Sequence, residues 1–193
     1  QFDGGISEGV TGSAVEVTGN HTGTVNFGAG STVNTTLGDG LQFNGADGSY
    51  TFLGTTNMNG GDAGIDIFNS NGSFVFTNPF INNTASGIGV KIVGGGGDSP
   101  ITTFNGLNIS TISNQGFYVS NGGLTTVTGA ATVNTQFGTA FESQGTALAA
   151  VFTDITSTQS PAAGININNS TGTFGVTGTT TISGAALSGI NIM

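Results

Sequence analysis

Glu16, Asp66 and Lys91 are the charged residues whose types and spacing come closest to a catalytic arrangement. Each is the middle residue of a short apolar alternation, in AVEV, GIDI and GVKI, and side chains alternate between the two faces of a strand. If these strands stack in order, the two carboxylates face outward about 10 Å apart, which would suit an inverting glycosidase pair. Solvated charges on an outer sheet explain the same pattern, and we predict that no residue is catalytic. A polysaccharide-binding or polysaccharide-cleaving face near these three residues is the alternative.

Other reactive side chains are scarce in this chain. His21 is the single histidine and cysteine is absent, so we predict no metal site and no cofactor. The segment GGGGDSP lacks the leading Gly of calcium-binding repeats and NGGDAGID has the wrong spacing, so both favour turns. A calcium site at Asp62 or Asp98 stays open. Asn-x-Ser/Thr sequences that turns could expose for glycosylation begin at Asn20, Asn71 and Asn168.

The composition excludes several classes of partner. Charged residues make up 6% of the 193 residues, with one Lys, no Arg and a net charge of -9. Such a surface cannot neutralise phosphates, so nucleic acids and anionic membranes are not expected partners. No apolar run reaches the length of a membrane span. Solubility must come from Thr, Ser, Asn and Gly, which favours an extracellular or cell-surface location.

A unit of about 25 residues recurs along the whole chain, a period typical of repeat architectures. Its first alternation has the form G-I-x-I, as in GIDI, GVKI, GFYV and GINI, and seven steps of similar length lead from Val17 to Ile192. A second alternation follows, as in VNF, YTF and FVF. A third apolar residue then precedes a small polar one. Each unit would then contain three short strands. If each strand stacks in parallel on the equivalent strand of the next unit, the units together bury the apolar face that one unit alone leaves exposed.

The recurrence assigns two sets of structural residues. The predicted core rungs are Phe43, Ile67, Ile92, Val119, Ile167 and Ile192 in the first strands and Phe27, Phe52, Phe76 and Phe104 in the second. The predicted polar ladder after the third apolar position is Asn34, Asn59, Asn82, Ser110, Asn134, Thr156 and Ser183. Stacked side chains of this kind can satisfy backbone groups at a turn.

These three motif columns resemble the right-handed parallel β-helix of the pectate-lyase-like superfamily, and most of all its repetitive adhesin and autotransporter-passenger branch. The resemblance covers essentially the whole chain and implies an all-β solenoid of about seven coils, with about 25 residues and three short strands in each. It implies the fold and no particular activity, because its motifs are specific for the fold.

We expect residues 1–193 to form a single β-helix domain without a cap at either end. The segment FDGGIS resembles the passage from second to third strand in FNGLNIS, and the chain closes on the first-strand motif GINI. Uncapped strand edges favour the addition of further strands. The sequence therefore predicts an extracellular structural or adhesive solenoid, extended either by copies of itself, stacked head to tail as a filament, or by neighbouring coils of a longer chain. Glycans are a further possible partner.

Overall fold

The computed structural model describes residues 1–83 and 87–193, and in them the chain winds into a parallel β-solenoid. Each complete coil contributes a first, a second and a third strand position. The strands, in chain order, are β1 (Gly5–Glu8), β2 (Val15–His21), β3 (Thr24–Phe27), β4 (Thr32–Thr35), β5 (Leu41–Ala46), β6 (Ser49–Phe52), β7 (Thr55–Met58), β8 (Ala63–Phe68), β9 (Ser73–Thr77), β10 (Phe80–Asn83), β11 (Ile88–Val93), β12 (Ile101–Thr111), β13 (Phe117–Ser120), β14 (Leu124–Thr135), β15 (Phe141–Gln144), β16 (Ala147–Phe152), β17 (Asp154–Thr158), β18 (Ile165–Asn168), β19 (Thr171–Val176), β20 (Thr180–Ser183) and β21 (Ile190–Ile192).

The first strands form one parallel sheet of eight, in the order β2-β5-β8-β11-β13-β15-β18-β21. This makes about eight turns rather than the predicted seven, with about 24 residues in each. The difference arises because the eight first strands each belong to a turn, whereas the prediction counted the seven steps between them. The TAFES segment, where the motif is weakest, still supplies a full strand, β15, in register with β13 and β18.

The second and third strands form two further columns that share a 13-stranded sheet. In β12 and β14 the second strand continues into the third without a break, and their mutual register shifts between Asn105 and Leu107. Gly106 and Gly129 bend these strands at positive φ, 80° and 74°. In the sixth unit, which the motif alone could not phase, β16 ends at Phe152 and β17 begins at Asp154.

The core is a set of apolar columns that run along the solenoid axis. Nine of the ten predicted rungs are buried, whereas Ile192 is 70% exposed because no described coil lies above β21. In the second column, neighbouring phenyl rings from Phe27 to Phe104 stack with centroids 4.6 to 5.3 Å apart. β-branched and aromatic residues suit this arrangement because each packs on a similar side chain in the next coil.

The glycine that opens the G-I-x-I motif is required by close packing between the third strand and the next first strand. A Cβ on Gly116 would lie 2.4 Å from Cγ1 of Val133, well inside van der Waals contact. The same contact recurs with an isoleucine Cγ2 at 2.5 Å for Gly64, Gly89 and Gly164. The glycine of the motif is therefore needed at this corner of the solenoid, where no space is left for a side chain.

Candidate functional site

The outward face of the first-strand sheet carries one continuous column of mostly polar side chains. The middle residues of successive strands lie in register, so their side chains stack about 4.8 Å apart. We call this column the outer stripe; its members are Glu16, Gln42, Asp66, Lys91, Tyr118, Glu142, Asn166 and Asn191. The three charged residues singled out in the sequence thus share one face, with Gln42 between Glu16 and Asp66.

A cleft of about 340 Å³ opens on the outer stripe at the coils of these charged residues. Its walls include Glu16, Asp39, Asp66, Phe68 and Lys91. The volume lies at the lower end of the range for small-molecule sites. The aromatic ring of Phe68 is 39% exposed and gives the cleft an apolar surface beside its charges.

Lys91 and Asp66 form an ion pair across adjacent coils, because their strands place them opposite each other. Lys91 Nζ donates to Asp66 Oδ2 at 2.7 Å and lies 6.0 Å from the centroid of the Phe68 ring. The Asp66 side chain is 8% exposed and that of Lys91 is 30% exposed. Lys91 therefore holds a buried carboxylate in place from a partly solvated position.

Asp66 is a carboxyl group of the stripe whose pKa is shifted by its surroundings. Burial raises its pKa above the usual aspartate range, and nearby Asp62 adds to the rise, while the hydrogen bond and charge of Lys91 oppose it. Asp66 Oδ1 is buried and has no hydrogen-bond partner among the described residues. A carboxylate with one unpaired oxygen favours protonation or the approach of a hydrogen-bond donor.

The geometry gives little support to hydrolysis by a pair of carboxylates. Gln42 occupies the position between Glu16 and Asp66, and its Nε2 donates to the backbone oxygen of Asp39 and to Asp62 Oδ1 at 3.3 Å. Two strand spacings put the two carboxyl positions about 10 Å apart, the separation predicted from the sequence. Among residues 1–83 and 87–193, no group of three or more His, Cys, Asp or Glu could hold a metal ion.

The predicted polar ladder does not run as one column. Asn34 lies opposite Asn57 and accepts a hydrogen bond from its Nδ2 at 2.9 Å, so Asn59 is not in register with Asn34. The cause is the link between the second and third strands, which is two residues longer before β4 than before β7. Later in the chain Thr156 pairs with Thr181 instead of Ser183. The members that do share one register are Asn82, Ser110, Asn134 and Thr156.

A second polar column, which the sequence reasoning missed, lies one residue further along and points inward. Its buried members are Thr111, Thr135 and Ser157, which lie in one register. Thr135 Oγ1 and Ser157 Oγ each donate to the backbone oxygen of Gly138 at 2.9 Å. These hydroxyls satisfy backbone groups at the corner after the third strand. The signal was present in the sequence as Thr or Ser two positions after the third apolar residue.

Asn residues have their clearest structural role in the turn after the first strand. Asn69, Asn121 and Asn169 have φ of 45°, 50° and 49°, a left-handed conformation that Asn tolerates better than most residues. Asn121 Oδ1 lies 2.9 Å from where a Cβ on Gly145, the equivalent residue of the next coil, would stand. This corner therefore favours Asn or Gly, because its backbone turns at positive φ and an Asn side chain needs space over the next coil.

The three candidate glycosylation sites differ in accessibility. Asn20 is exposed, with φ of 60°, and Asn168 is half-buried at the end of β18. Asn71 is exposed, and both polar atoms of its side-chain amide form hydrogen bonds. Its Nδ2 donates to Asp98 Oδ1 at 2.6 Å, and its Oδ1 accepts from Ser99 N at 2.9 Å. A glycan on Asn71 would be attached to the same Nδ2 atom that donates to Asp98.

His21 is a partner of a buried tyrosine. Its Nδ1 lies 2.8 Å from Tyr50 Oη, which also donates to the backbone oxygen of His21 at 2.9 Å. The Tyr50 ring fills the core of its coil. The hydrogen bonds between His21 and Tyr50 therefore link β2 to β6, the second strand of the next coil.

Comparison with known proteins finds no matching family, no matching curated protein and no matching solved structure. The parallel β-solenoid stands on the structure itself, and the likeness to the pectate-lyase-like and adhesin-like branch stays a prediction. No helix in the described part of the chain is long and apolar enough to cross a membrane.

Proposed function

We propose that this chain is a shaft segment of an extracellular fibre or stalk, a structural and adhesive solenoid extended along its axis by further coils. The observation that carries the proposal is the continuity of the strand columns. The first-strand column is in register over eight strands. Each coil presents parallel strand edges over an apolar core to the next coil, so further coils can be added in the same way.

The arrangement of bonds supports a mechanical role. In a parallel solenoid the backbone hydrogen bonds between coils run along the axis, so a pull along the shaft loads many of them together. Between coils the phenyl and aliphatic side chains stack in the same direction. Further coils can therefore lengthen the solenoid without any change in its cross-section.

The composition supports an extracellular setting. One Lys and no Arg in 193 residues leave a single position for trypsin-like proteases, and Lys91 lies within β11. The polar surface is built from hydroxyl and amide side chains, which can contact glycans or other surfaces without a charge partner. The additional coils come either from copies of this chain or from neighbouring coils of a longer one.

Sedimentation velocity at increasing protein concentration tests whether copies extend the shaft. We expect the sedimentation coefficient distribution to shift to larger, elongated species as concentration rises. A single monomeric boundary over a hundredfold range of concentration would contradict extension by copies and leave neighbouring coils of a longer chain as the source of additional coils.

The cleft on the outer stripe favours a second function, the binding of a saccharide. Phe68 offers an exposed ring for stacking on a sugar face, and Asp66 Oδ1 is an acceptor without a partner among the described residues. Calorimetric titration with acidic and neutral oligosaccharides tests this function. We expect Phe68→Ala to abolish binding and Phe137→Ala, a similarly exposed ring on another corner, to leave it unchanged; equal binding by both variants would exclude the cleft.

A further inference from the structure

We propose that the outward face of the second strands binds the surface of ice. The inference goes beyond the shaft function and does not depend on it, because every second strand contributes its own part of the face. We call the two outward positions of β3, β6, β9, β12, β14, β16 and β19 the second-strand face. These positions form two columns, which run from Thr24 through Ser73 to Thr171 and from Asn26 through Thr103 to Thr173.

The second-strand face combines hydroxyl groups with aliphatic groups and carries no charge. Eight of its fourteen side chains are Thr or Ser, five are aliphatic and one is Asn. The ten carboxylates and the one Lys of the sequence all lie at other positions. The outer stripe, by contrast, contains four charged residues. The charge of the protein is therefore placed away from the second-strand face, which suits a neutral partner.

The positions of this face form a regular grid in two dimensions. Equivalent residues of adjacent coils lie about 4.8 Å apart, and the two outward positions of one strand lie about 6.7 Å apart. The register shift between β12 and β14 begins only after Asn105, beyond both columns. The grid therefore continues over six coil steps, a length of about 29 Å. Both spacings are comparable with the repeats of oxygen positions on the faces of hexagonal ice.

The hydroxyl groups of the face are available to water. Thr51, Thr103 and Thr126 form no side-chain hydrogen bond with another described residue. Each hydroxyl group can donate one hydrogen bond and accept two. Because the Thr side chain is stiff at χ1 and the sheet holds its backbone, these oxygens are positioned before any ligand arrives.

Aliphatic groups lie between the hydroxyl groups. Val75 separates Thr51 from Thr103 in one column, and in the other Ile101 and Leu124 are 50% and 43% exposed. Water beside exposed apolar groups has restricted orientational freedom. Methyl groups that restrict water, next to hydroxyl groups that bind it, favour a layer of water that joins an ice lattice with little further ordering.

The repeat favours ice over a small ligand or an ionic surface. Small-molecule sites are concave and have a few converging polar groups, whereas the groups of the second-strand face extend in parallel from a sheet. Such a face fits a ligand that itself repeats in two dimensions. A mineral surface fits less well, because the face has no carboxylate to bind cations such as calcium.

The affinity of the purified chain for ice tests the inference directly. We expect the protein to be incorporated into a slowly growing ice hemisphere, to separate the freezing temperature from the melting temperature and to produce faceted crystals. Exclusion from the hemisphere without any such separation would overturn the inference. Microcrystalline cellulose and chitin are tested in parallel. Retention on either polymer without affinity for ice would assign the face to another repeating surface and would also overturn it.

A substitution at the centre of the face locates the binding surface. Thr126→Lys introduces a long charged side chain there, and we expect it to abolish incorporation into ice. Thr132→Lys is the matched control, because Thr132 lies in the same strand and is also half-buried but belongs to the third-strand column. This control should bind ice as the unmodified protein does. Equal ice binding by the two Lys variants would exclude the second-strand face.

A second substitution keeps the test independent of folding. Thermal melting followed by circular dichroism shows whether each variant is folded. Thr51→Lys, in the same column and also half-buried, replaces Thr126→Lys if that variant does not fold. We expect the same loss of ice binding, and a folded Thr51→Lys variant that binds ice as well as the unmodified protein would overturn the inference.

Discussion

Lys91 is the single Lys or Arg residue of the sequence, and its ammonium group binds Asp66. The pair links adjacent coils in the lining of the cleft, with one carboxylate oxygen bound and the other unpaired among the described residues. Burial of an ion pair costs desolvation energy, so such a pair is weak evidence for stability by itself. The contribution of the pair to stability can be measured by removing one of its two partners.

Lys91→Met should destabilise the solenoid by about 1–3 kcal/mol, because it leaves the Asp66 carboxylate buried without a counter-charge. The expected loss is below that of a fully buried pair since the Lys91 side chain is 30% exposed. Thermal melting followed by circular dichroism measures the change. Lys91→Arg, which keeps the charge, should melt close to the unmodified protein; equal loss in both variants would point to packing instead of charge.

The pKa of Asp66 predicts a pH dependence of stability. Burial raises this pKa in the folded state, so the carboxyl contributes most at a pH below its ordinary value near 4, and its contribution is lost as pH rises through the folded pKa. Relative to Asp66→Asn, the unmodified protein should therefore gain melting temperature as pH is lowered from 7 toward 4. A difference between the two proteins that stays constant over this range would show that Asp66 does not titrate in it.

At the scale of elements, corners constrain the sequence as strongly as strands do. Gly116 must leave room for Val133, and the turns after several first strands contain a left-handed residue. The 36 glycines and many asparagines therefore do not indicate disorder. They occupy positions where the backbone of one coil approaches the next.

Gly116→Ala should cost about 1–3 kcal/mol, because the added methyl group overpacks the contact with Val133 and with the backbone oxygen of Ala140. The matched control is Gly175→Ala in β19, where an added Cβ meets nothing within 4 Å and φ is not positive. This control should be neutral or slightly stabilising. Urea unfolding of both variants measures the difference, and similar midpoints would refute the packing account.

Asn121→Ala should destabilise the protein by about 1 kcal/mol or more, since Ala adopts φ of 50° only with strain. Asn121→Gly should recover most of the loss because Gly accepts this conformation. Asn134→Ala, at an exposed strand position, should change stability by less than about 0.5 kcal/mol. Melting temperatures of the three variants check the ranking. A larger loss of stability for Asn134→Ala than for Asn121→Ala would indicate that the predicted ladder, and not the turn, has the structural role.

The strand columns could be predicted from the sequence because apolar residues recur at nearly constant spacing on one face. Phe27, Phe52 and Phe76, for example, follow one another at almost equal steps along the chain and lie in register. The ladder could not be predicted as reliably, because the longer link before β4 shifts Asn34 relative to Asn59. The outer stripe could be predicted from the alternation of apolar and polar residues along each first strand. The ion pair and the cleft could not, because residue spacing does not specify how far a side chain extends or which neighbour it contacts.

At the scale of the whole molecule, each coil contacts mainly the coils above and below it. Stability in such a structure is approximately a sum of coil and neighbour terms, so the end coils are the weakest part.

Electron microscopy of the purified chain over a range of concentrations tests the central proposal that further coils extend the shaft along its axis, with copies of the chain as those coils. The account predicts straight rods of the width of one solenoid, with an axial repeat of about 38 Å for eight coils. Particles that never exceed the length of one subunit, or that associate side by side without axial growth, would contradict it.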